Sequence, residues 1–501
     1  MTPLADDGFE RIRRTAGLFL APLIFLIIYF IPLPALTPQA HRLLSIVAFT
    51  VTCWITECIP IPIAALLGPT LAIIFQVDSA KAIYSPFSDP IIILLLGSFI
   101  LAKAMTSQGL DRRFAFDILS IKRFSSTSTT LSLGIGLIAF LVSMWISNSA
   151  TTAMMLPIGL GILSVMKSVT NIESKGLGAQ EYSTGLLLII AYSASIGGIS
   201  TPVGTPPNLI TLGMLKELAG IEIDFLKWMA VGVPIALVMF IFLWLRISLT
   251  TPLAVKDLKG LSTLINEQKQ MHGEWRRGEI NVLIAFIIAV VLWLSPGFLG
   301  IIVGTDSDVY KIYDKVLPEY VVPVISAFLL FILPTNWEKR EFTITIKEAM
   351  GIDWGTLIIF GGGLSLGAMM FRTGLAEVIG KSLVEITGAM SVTSIAALGL
   401  FLAVTLSEIT SNTATANLLL PLIIAIATSA GISPVIPALA VGIGASFGFM
   451  LPVSTAPNAI VYGSGLIPIT KMIKYGFLLD IVGYVIVLAG VLILCPLVGL
   501  K

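Results

Sequence analysis

Long apolar segments separated by short polar segments run along almost the whole chain. A helix that crosses a bilayer needs about 20 consecutive, largely apolar residues, and windows of this kind predict about eleven membrane crossings. The windows are 16–32, 43–58, 61–77, 90–107, 183–213, 229–247, 279–296, 320–334, 355–371, 434–464 and 476–498. The predicted fold is therefore an all-α polytopic membrane protein.

Two further apolar segments, 130–168 and 392–430, are too long for one helix and are interrupted by polar triplets. The triplets are Ser147-Asn148-Ser149 and Ser411-Asn412-Thr413. Each segment forms either two helices that cross or one re-entrant hairpin. Treating both as hairpins places most Lys and Arg residues on the side of the N-terminus, whereas a crossing by the first alone would move the basic loop at 246–277 to the other side. The charge pattern therefore predicts two re-entrant hairpins, a cytoplasmic N-terminus and an external C-terminus.

Composition supports a membrane protein and argues against several other classes. Of 501 residues, 56% are hydrophobic and only 12% are charged, whereas soluble domains carry roughly a quarter charged residues. The net charge of +1 gives no electrostatic reason to expect a nucleic-acid partner. With two histidines and three cysteines, the chain has little material for a metal centre or a redox site. An enzyme is therefore not predicted.

Two copies of one sequence pattern occur in the same order in the two halves of the chain. Gly97–Leu110 matches Gly362–Leu375, Ser147–Pro157 matches Ser411–Pro421, and Pro202–Asn208 matches Pro452–Asn458. Because an odd number of predicted crossings separates the copies, the second is expected to be inverted relative to the first. Inverted-topology repeats are typical of secondary transporters.

Helix-breaking residues recur at matching places in these copies. They are Gly204, Pro206 and Pro207 in window 183–213, and Pro452, Ser454 and Pro457 in window 434–464. Irregular backbone at membrane depth is tolerated only where it lines a cavity or is buried by protein. We therefore expect two hairpin tips and two broken helices to converge near the midplane, where helix N-termini suit an anion and free carbonyls suit a cation such as sodium.

The predicted organisation has four parts. Residues 1–88 form N-terminal helices that are mainly scaffold, and 248–352 form a cytoplasmic linker with two scaffold helices. The first inverted repeat covers 89–247, with hairpin 130–168 and broken helix 183–213. The second covers 353–501, with hairpin 392–430 and broken helix 434–464.

The paired motifs resemble those of the divalent anion/sodium symporter family. The resemblance rests on the two triplets, on GTPPN at Gly204–Asn208 and STAPN at Ser454–Asn458, on TECIPIP at Thr56–Pro62 and on SEITSNTATA at Ser407–Ala416. It covers nearly the whole chain. It implies a homodimeric carrier in the plasma membrane that takes up di- or tricarboxylates, or in some relatives sulfate, together with sodium. The mechanism that it implies is alternating access by an elevator or rocking motion.

The resemblance also implies the residues that bind substrate and sodium. The substrate residues are Asn148, Ser149, Asn412 and Thr413, with further hydroxyls from Thr205 and Thr455. The first sodium site consists of Ser143, Ser147, Asn148 and the carbonyl of Gly204, and the second of Ser407, Asn412 and the carbonyl of Ser454. Ser149 stands where the family has threonine, so the fit around the substrate's carbon chain is expected to be looser.

We predict sodium-coupled symport of C4 dicarboxylates such as succinate, malate and fumarate, with at least two sodium ions. The alternatives are a sodium-independent dicarboxylate or citrate exchanger and, from another class, an anion channel. Lys103 either reaches the cytoplasmic interface or replaces a cation in an exchanger. Glu408 is either a functional intramembrane carboxylate or a structural acceptor for backbone N–H groups. The polar tip residues also suit simple helix capping.

Overall fold

The computed structural model describes residues 7–121, 124, 127–170, 177–251, 269–270, 273–388 and 391–500. The first half contains α1 (Asp7–Phe30), α2 (Pro38–Thr56), α3 (Ile61–Ile74), α4 (Ala80–Tyr84), α5 (Pro90–Gln108), α6 (Leu110–Leu119), α7 (Ser128–Ser143), α8 (Asn148–Thr170), α9 (Leu177–Gly198), α10 (Pro206–Ala219) and α11 (Phe225–Thr250). A short 3₁₀ turn, Ser85–Ser88, follows α4.

The second half begins with α12 (Arg277–Val303), α13 (Asp308–Val316) and α14 (Val322–Ile332). A small antiparallel hairpin follows, formed by β1 (Pro334–Asn336) and β2 (Glu341–Phe342). The remaining helices are α15 (Ile346–Ala349), α16 (Trp354–Arg372), α17 (Leu375–Thr387), α18 (Val392–Ser407), α19 (Asn412–Ser429), α20 (Val435–Gly444), α21 (Ala456–Tyr462) and α22 (Ile469–Leu497).

Length and composition make eight helices in the described part of the chain candidates for membrane spans. They lie within Arg11–Phe30, Ala80–Gln108, Asn148–Met166, Phe225–Thr250, Arg277–Val303, Trp354–Arg372, Asn412–Ser429 and Ile469–Leu497. Shorter apolar helices, among them α7, α18 and α20, complete the bundle. Large apolar side chains such as Phe30, Ile302 and Leu497 are exposed, as expected for a surface that faces lipid. The prediction of an all-α polytopic membrane protein is confirmed.

Four interruptions divide the long apolar segments where the sequence predicts breaks. Residues 144–147 separate α7 from α8, and 408–411 separate α18 from α19. Residues 199–205 separate α9 from α10, and 445–455 separate α20 from α21. Proline occupies the first turn of α10 and of α21, where its missing N–H has no helical partner to lose.

Helices of the two halves pack against each other around these interruptions. α10 packs on α19, and α21 packs on α8. Within each half the arrangement is the same, since α7 packs on α9 and α18 packs on α20. Gly232 on α11 lies against the carbonyl of Ile199, and Gly476 on α22 lies against the carbonyl of Phe449. A larger residue at either glycine would collide with the unwound segment, so these positions set the approach of the two outer helices.

Candidate functional site

The four interruptions meet at one cavity of about 510 Å³. Each contributes consecutive residues to its wall: Ile146 to Ala150, Val203 to Pro206, Ser411 to Thr413, and Ser454 to Pro457. α5 and the segment before α16 form the rest of the wall. Nine of the eleven residues that the sequence assigns to the site line this wall. The other two, Ser143 and Ser407, lie behind it and donate hydrogen bonds to the wall residues Asn148 and Asn412. The cavity is therefore the candidate site.

Four helices begin at this cavity, namely α8, α10, α19 and α21. The backbone N–H groups of a first helical turn have no partner within the helix, and the helix dipole makes that end positive. Four such ends around one cavity create a field that favours an anion without a buried arginine. The wall is otherwise lined mostly by small, neutral side chains.

Helix capping accounts for three hydroxyls in the cavity wall, of which the sequence assigns two, those of Ser147 and Thr455, to the site. Ser147 accepts a hydrogen bond from the Ala150 N–H at 3.3 Å, and Ser411 accepts one from the Ala414 N–H at 3.2 Å. Thr455 accepts one from the Asn458 N–H at 3.4 Å. Thr205 occupies the matching N-cap position of α10, but its side chain makes no capping hydrogen bond there. Thr205 is therefore available to a ligand, whereas the Thr455 hydroxyl also supports its helix.

The first hairpin brings Ser143 and Asn148 together. The Ser143 hydroxyl donates to Asn148 Oδ1 at 2.7 Å across the tip. Gly198, at the end of α9, lies directly against the same amide, and Gly204 lies against Gly198. Ser147 and Gly204 both line the cavity beside Asn148. Ser143 and Asn148 are thus paired directly, and the other two residues predicted for the first sodium site lie in the wall of the same cavity. Oxygen atoms are the ligands that hard cations prefer.

The second hairpin repeats this arrangement with more oxygen atoms. The Ser407 hydroxyl lies 2.7 Å from Asn412 Oδ1, and 2.9 Å from the carbonyl oxygens of both Ala445 and Phe447. The Ser407 hydroxyl has one proton, which can satisfy only one of these three acceptors. The hydroxyl oxygen and the three acceptor oxygens therefore share a single proton. A monovalent cation suits such a cluster because its charge would satisfy the remaining lone pairs.

Sequence reasoning missed the carbonyls of Ala445 and Phe447. It named the carbonyl of Ser454 instead; Ser454 lines the cavity, and its side-chain hydroxyl lies 2.8 Å from both the backbone oxygen and Oε2 of Glu408. Glu408 also accepts hydrogen bonds from the Met450 N–H at 3.0 and 3.2 Å. Glu408 therefore holds the unwound segment 445–455, as the structural alternative for this residue expects.

Two asparagines that the sequence did not assign hold the broken helices in shape. Asn208 Nδ2 donates to the carbonyls of Gly198 at 2.9 Å and Thr201 at 2.7 Å. Asn458 Nδ2 donates to the carbonyls of Gly448 at 2.9 Å and Leu451 at 3.0 Å. Unwound backbone in a membrane needs such partners. The signal was present in the sequence as the final asparagine of GTPPN and STAPN.

Lys103 lies in the wall of the cavity rather than away from it. It is half-buried and forms no ion pair with any residue in the described ranges. The other charged residue of the wall, Asp353, caps α16 and accepts hydrogen bonds from the Thr356 N–H at 3.1 Å and the Thr356 hydroxyl at 2.6 Å. Lys103 thus adds positive potential to a cavity already surrounded by helix N-termini.

Comparisons with known proteins find relatives that match almost the whole chain. A family model described as the sodium:sulfate symporter transmembrane region matches residues 13–500. The sodium-dependent dicarboxylate transporter SdcS of Staphylococcus saprophyticus is 32% identical over 494 residues, which cover 98% of this chain and 93% of that protein. SdcS of Staphylococcus aureus is 32% identical over 485 residues, covering 96% and 91% of the two chains.

Solved transporter structures share the fold at much lower identity. MtrF of Neisseria gonorrhoeae superposes with a TM-score of 0.54 at 13% identity, over 98% of this chain and 95% of that chain. YdaH of Alcanivorax borkumensis gives the same TM-score and identity, over 98% of both chains. At this identity the likeness concerns the fold alone.

Proposed function

The chain belongs to the sodium:sulfate symporter family, and from this premise we propose that it is a secondary active transporter that couples sodium entry to dicarboxylate uptake. The proposed substrates are the C4 dicarboxylates succinate, malate and fumarate. SdcS, the relative that matches almost the whole chain, is named a sodium-dependent dicarboxylate transporter. The residues of the site provide a physical basis for a transporter and not for an enzyme.

The convergence of four helix N-termini on one cavity carries the proposal. A dianion that enters a cavity at membrane depth loses its hydration shell, and groups of the protein must replace those interactions. Backbone N–H groups, the amides of Asn148 and Asn412, and the hydroxyls of Ser149, Thr413 and Thr205 supply these interactions. Neutral donors hold a carboxylate less tightly than buried guanidinium groups do, which suits a carrier that must release its cargo.

Two sodium ions are proposed to travel with the substrate. The clusters around Ser143 and Ser407 are the two sites, and the Asn148 and Asn412 amides connect each cation to the anion cavity. Each amide has an oxygen for the cation and an N–H₂ group for the carboxylate. Sodium binding would fix the geometry of the hairpin tip and offset part of the substrate's charge. We therefore expect that neither sodium nor the substrate binds well alone.

An alternating-access mechanism is proposed from the two equivalent halves. Two observations support a duplicated unit: the matching Ser–Asn pairs, both at 2.7 Å, and the matching breaks that asparagine side chains hold. We propose that residues 89–247 and 353–501 are inverted repeats and that 1–88 and 248–352 are mainly scaffold and linker. The proposed orientation has a cytoplasmic N-terminus and an external C-terminus. An elevator motion within a homodimer in the cell membrane would then carry the cavity across.

An electroneutral exchanger is the second candidate, and Lys103 is the observation that favours it. A lysine in the cavity wall supplies one positive charge without any sodium ion. Transport by exchange would then need an internal dicarboxylate and no sodium gradient.

Reconstituted protein distinguishes these functions. Proteoliposomes loaded with potassium buffer should accumulate labelled succinate when sodium is added outside, and should not do so with choline outside. Uptake that ignores sodium but requires internal dicarboxylate would establish the exchanger. Flux that follows the membrane potential without accumulation, and without saturation by succinate, would establish a channel. Failure of all three would contradict the assignment of dicarboxylates as cargo.

A further inference from the structure

A nine-residue helix that is too short to cross a bilayer carries an exposed apolar stripe. The helix is α13, Asp308–Val316, in the connection between α12 and α14. Its side chains Val309, Ile312 and Val316 are 58%, 63% and 74% exposed. Single apolar side chains on a protein surface are ordinary, but a group of them on one helix face marks an interaction surface. The stripe therefore requires an apolar partner.

The side chains of α13 divide into three sectors around the helix axis. At about 100° per residue, Val309, Ile312 and Val316 fall within an arc of about 60°. Tyr310 and Tyr313 form a second sector beside this stripe and are partly buried. The charged side chains occupy the remaining sector, and they are Asp308, Lys311, Asp314 and Lys315. An apolar face and a charged face on one short helix are typical of helices that lie in the plane of a membrane surface.

The tyrosine sector packs α13 against the last turns of α12. The Tyr313 hydroxyl forms a hydrogen bond with the Ser295 hydroxyl of α12. The ring of Tyr310 lies 3.4 Å from the position that a Cβ atom would occupy on Gly300. These two contacts fix the height of α13 beside residues 295–300.

This part of α12 lies at a surface of the bilayer. α12 contains 27 residues and is about 40 Å long, whereas the hydrocarbon core is about 30 Å thick and takes about 20 residues to cross. The charged residues Arg277 and Glu279 lie in the first turn of α12, which places that end at one surface. The opposite boundary then falls near Gly300. α13 is therefore held at the level where hydrocarbon gives way to headgroups.

The contact between Ser295 and Tyr313 joins the apolar stripe of α13 to the lipid-facing side of α12. Phe298 and Ile302, which are exposed, follow Ser295 by three and seven residues and so share its face of α12. On α13, Tyr313 follows Val309 by four residues and precedes Val316 by three, so it adjoins the stripe. Because the two exposed apolar faces meet at this contact, the phase that covers α12 also reaches α13.

We propose that α13 is an interfacial helix whose partner is the bilayer itself. Val309, Ile312 and Val316 lie among the lipid chains directly below the headgroups, and the charged sector faces the aqueous side. The two acidic and two basic side chains of α13 cancel, so the apolar stripe and not lipid charge holds the helix at the surface. α13 thereby anchors the connection between α12 and α14 to the membrane.

Photo-crosslinking of the full chain in liposomes identifies the partner. The photoreactive residue p-benzoylphenylalanine replaces Ile312, and the protein is reconstituted in phosphatidylcholine, irradiated and measured by intact-protein mass spectrometry. We expect the mass to rise by one phosphatidylcholine, as it should when the probe replaces Ile287, an exposed residue near the middle of α12. The probe in place of Lys311, in the charged sector, should give about tenfold less lipid adduct because it points away from the lipid chains.

Two further readings decide between the bilayer and other partners. Replacing half of the phosphatidylcholine with phosphatidylglycerol should leave the total yield of lipid adduct at position 312 unchanged, and a yield that requires the anionic lipid would overturn the proposal. A covalent dimer in place of the lipid adduct would show that a second copy covers the stripe. Absence of lipid at position 312 while Ile287 is labelled, or equal labelling at Lys311, would also contradict an interfacial helix. Because the readout is a mass and not transport, the result does not depend on the proposed substrate.

Discussion

The hydroxyl of Ser407 lies 2.7 Å from the amide oxygen of Asn412, so the end of α18 is joined directly to the start of α19 across the second hairpin tip. The two carbonyl oxygens that also approach this hydroxyl, those of Ala445 and Phe447, belong to the broken segment after α20. A cation placed here would connect hairpin and broken helix. Sodium binding at this position would thereby link the hairpin and the shape of the cavity through one residue.

Removal of the Ser407 hydroxyl should therefore weaken sodium binding first. Ser407→Ala is expected to raise the half-saturating sodium concentration about tenfold, because the loss of one hydrogen-bonding ligand costs about 1 to 1.5 kcal/mol. The measurement is the sodium dependence of succinate uptake in proteoliposomes. Thr405→Ala is the matched control, since its exposed hydroxyl donates only to the Phe401 carbonyl on the same helix. Equal effects of the two substitutions would contradict the second sodium site.

The amides of Asn148 and Asn412 are each proposed to serve substrate and cation at once. Asn148→Ala or Asn412→Ala should lower uptake at least about 100-fold while the protein remains folded, because two ligands are lost together with one side chain. Size-exclusion profiles and thermal unfolding establish folding, and succinate uptake gives the activity. Asn336→Ala, at an exposed turn where the side chain accepts from the Lys339 N–H, serves as the control. Near-normal uptake in either tip variant would refute the dual role.

The two threonines at the broken helices should separate substrate binding from helix capping. Thr205→Ala is expected to raise the KM for succinate without changing thermal stability, since its hydroxyl makes no capping hydrogen bond. Thr455→Ala should raise the KM and also lower stability by about 1 kcal/mol, the usual cost of losing an N-cap. A change confined to sodium dependence in either variant would move that residue to a cation site.

Lys103 offers a test between symport and exchange. If the lysine only raises the positive potential of the cavity, Lys103→Gln should raise the KM for succinate about three- to tenfold, more strongly at low ionic strength, and should preserve the need for sodium. Lys103→Arg should restore most of the affinity because it keeps the charge. A Lys103→Gln variant that stops exchanging succinate, in a protein whose wild type ignores sodium, would favour the exchanger.

Much of the architecture could be predicted because its signals are local. The limits of α7, α8, α18 and α19 lie close to those predicted from apolar windows, Pro and Gly breaks and polar triplets. The pairing of Ser143 with Asn148 lies within one short motif. The carbonyls of Ala445 and Phe447 could not be predicted, because every residue has a carbonyl and only the fold directs these two to Ser407. The hydrogen bonds from the Met450 N–H and the Ser454 hydroxyl to Glu408 likewise depend on how the segment 445–455 packs, which no local pattern records.

The loop before α14 should make stability depend on pH. Both carboxylate oxygens of Glu319 accept from the Phe225 N–H, at 2.9 and 3.1 Å. Desolvation raises the pKa of Glu319 from 4.5 to about 8; the Phe225 hydrogen bond opposes this shift, and the charges of Asp224, Asp314 and Glu222 add to it. Between these two pH values the folded protein holds a proton that the unfolded chain has lost. The free energy of unfolding should therefore fall as the pH rises from about 4.5 to about 8.

Glu319→Gln removes this titration and should flatten that part of the stability profile. The measurement is the midpoint of thermal unfolding in detergent at several pH values between 4.5 and about 8, the interval between the two pKa values. Glu338→Gln, which changes an exposed acid in the turn between β1 and β2, is the control and should keep the wild-type slope. A wild-type midpoint that rises with pH across this window would contradict a neutral Glu319 carboxyl in the folded protein. A slope that survives in Glu319→Gln would show that another group causes it. The neutral acid is the form expected here, because it adds no negative charge beside the acidic side chains of Asp224, Asp314 and Glu222.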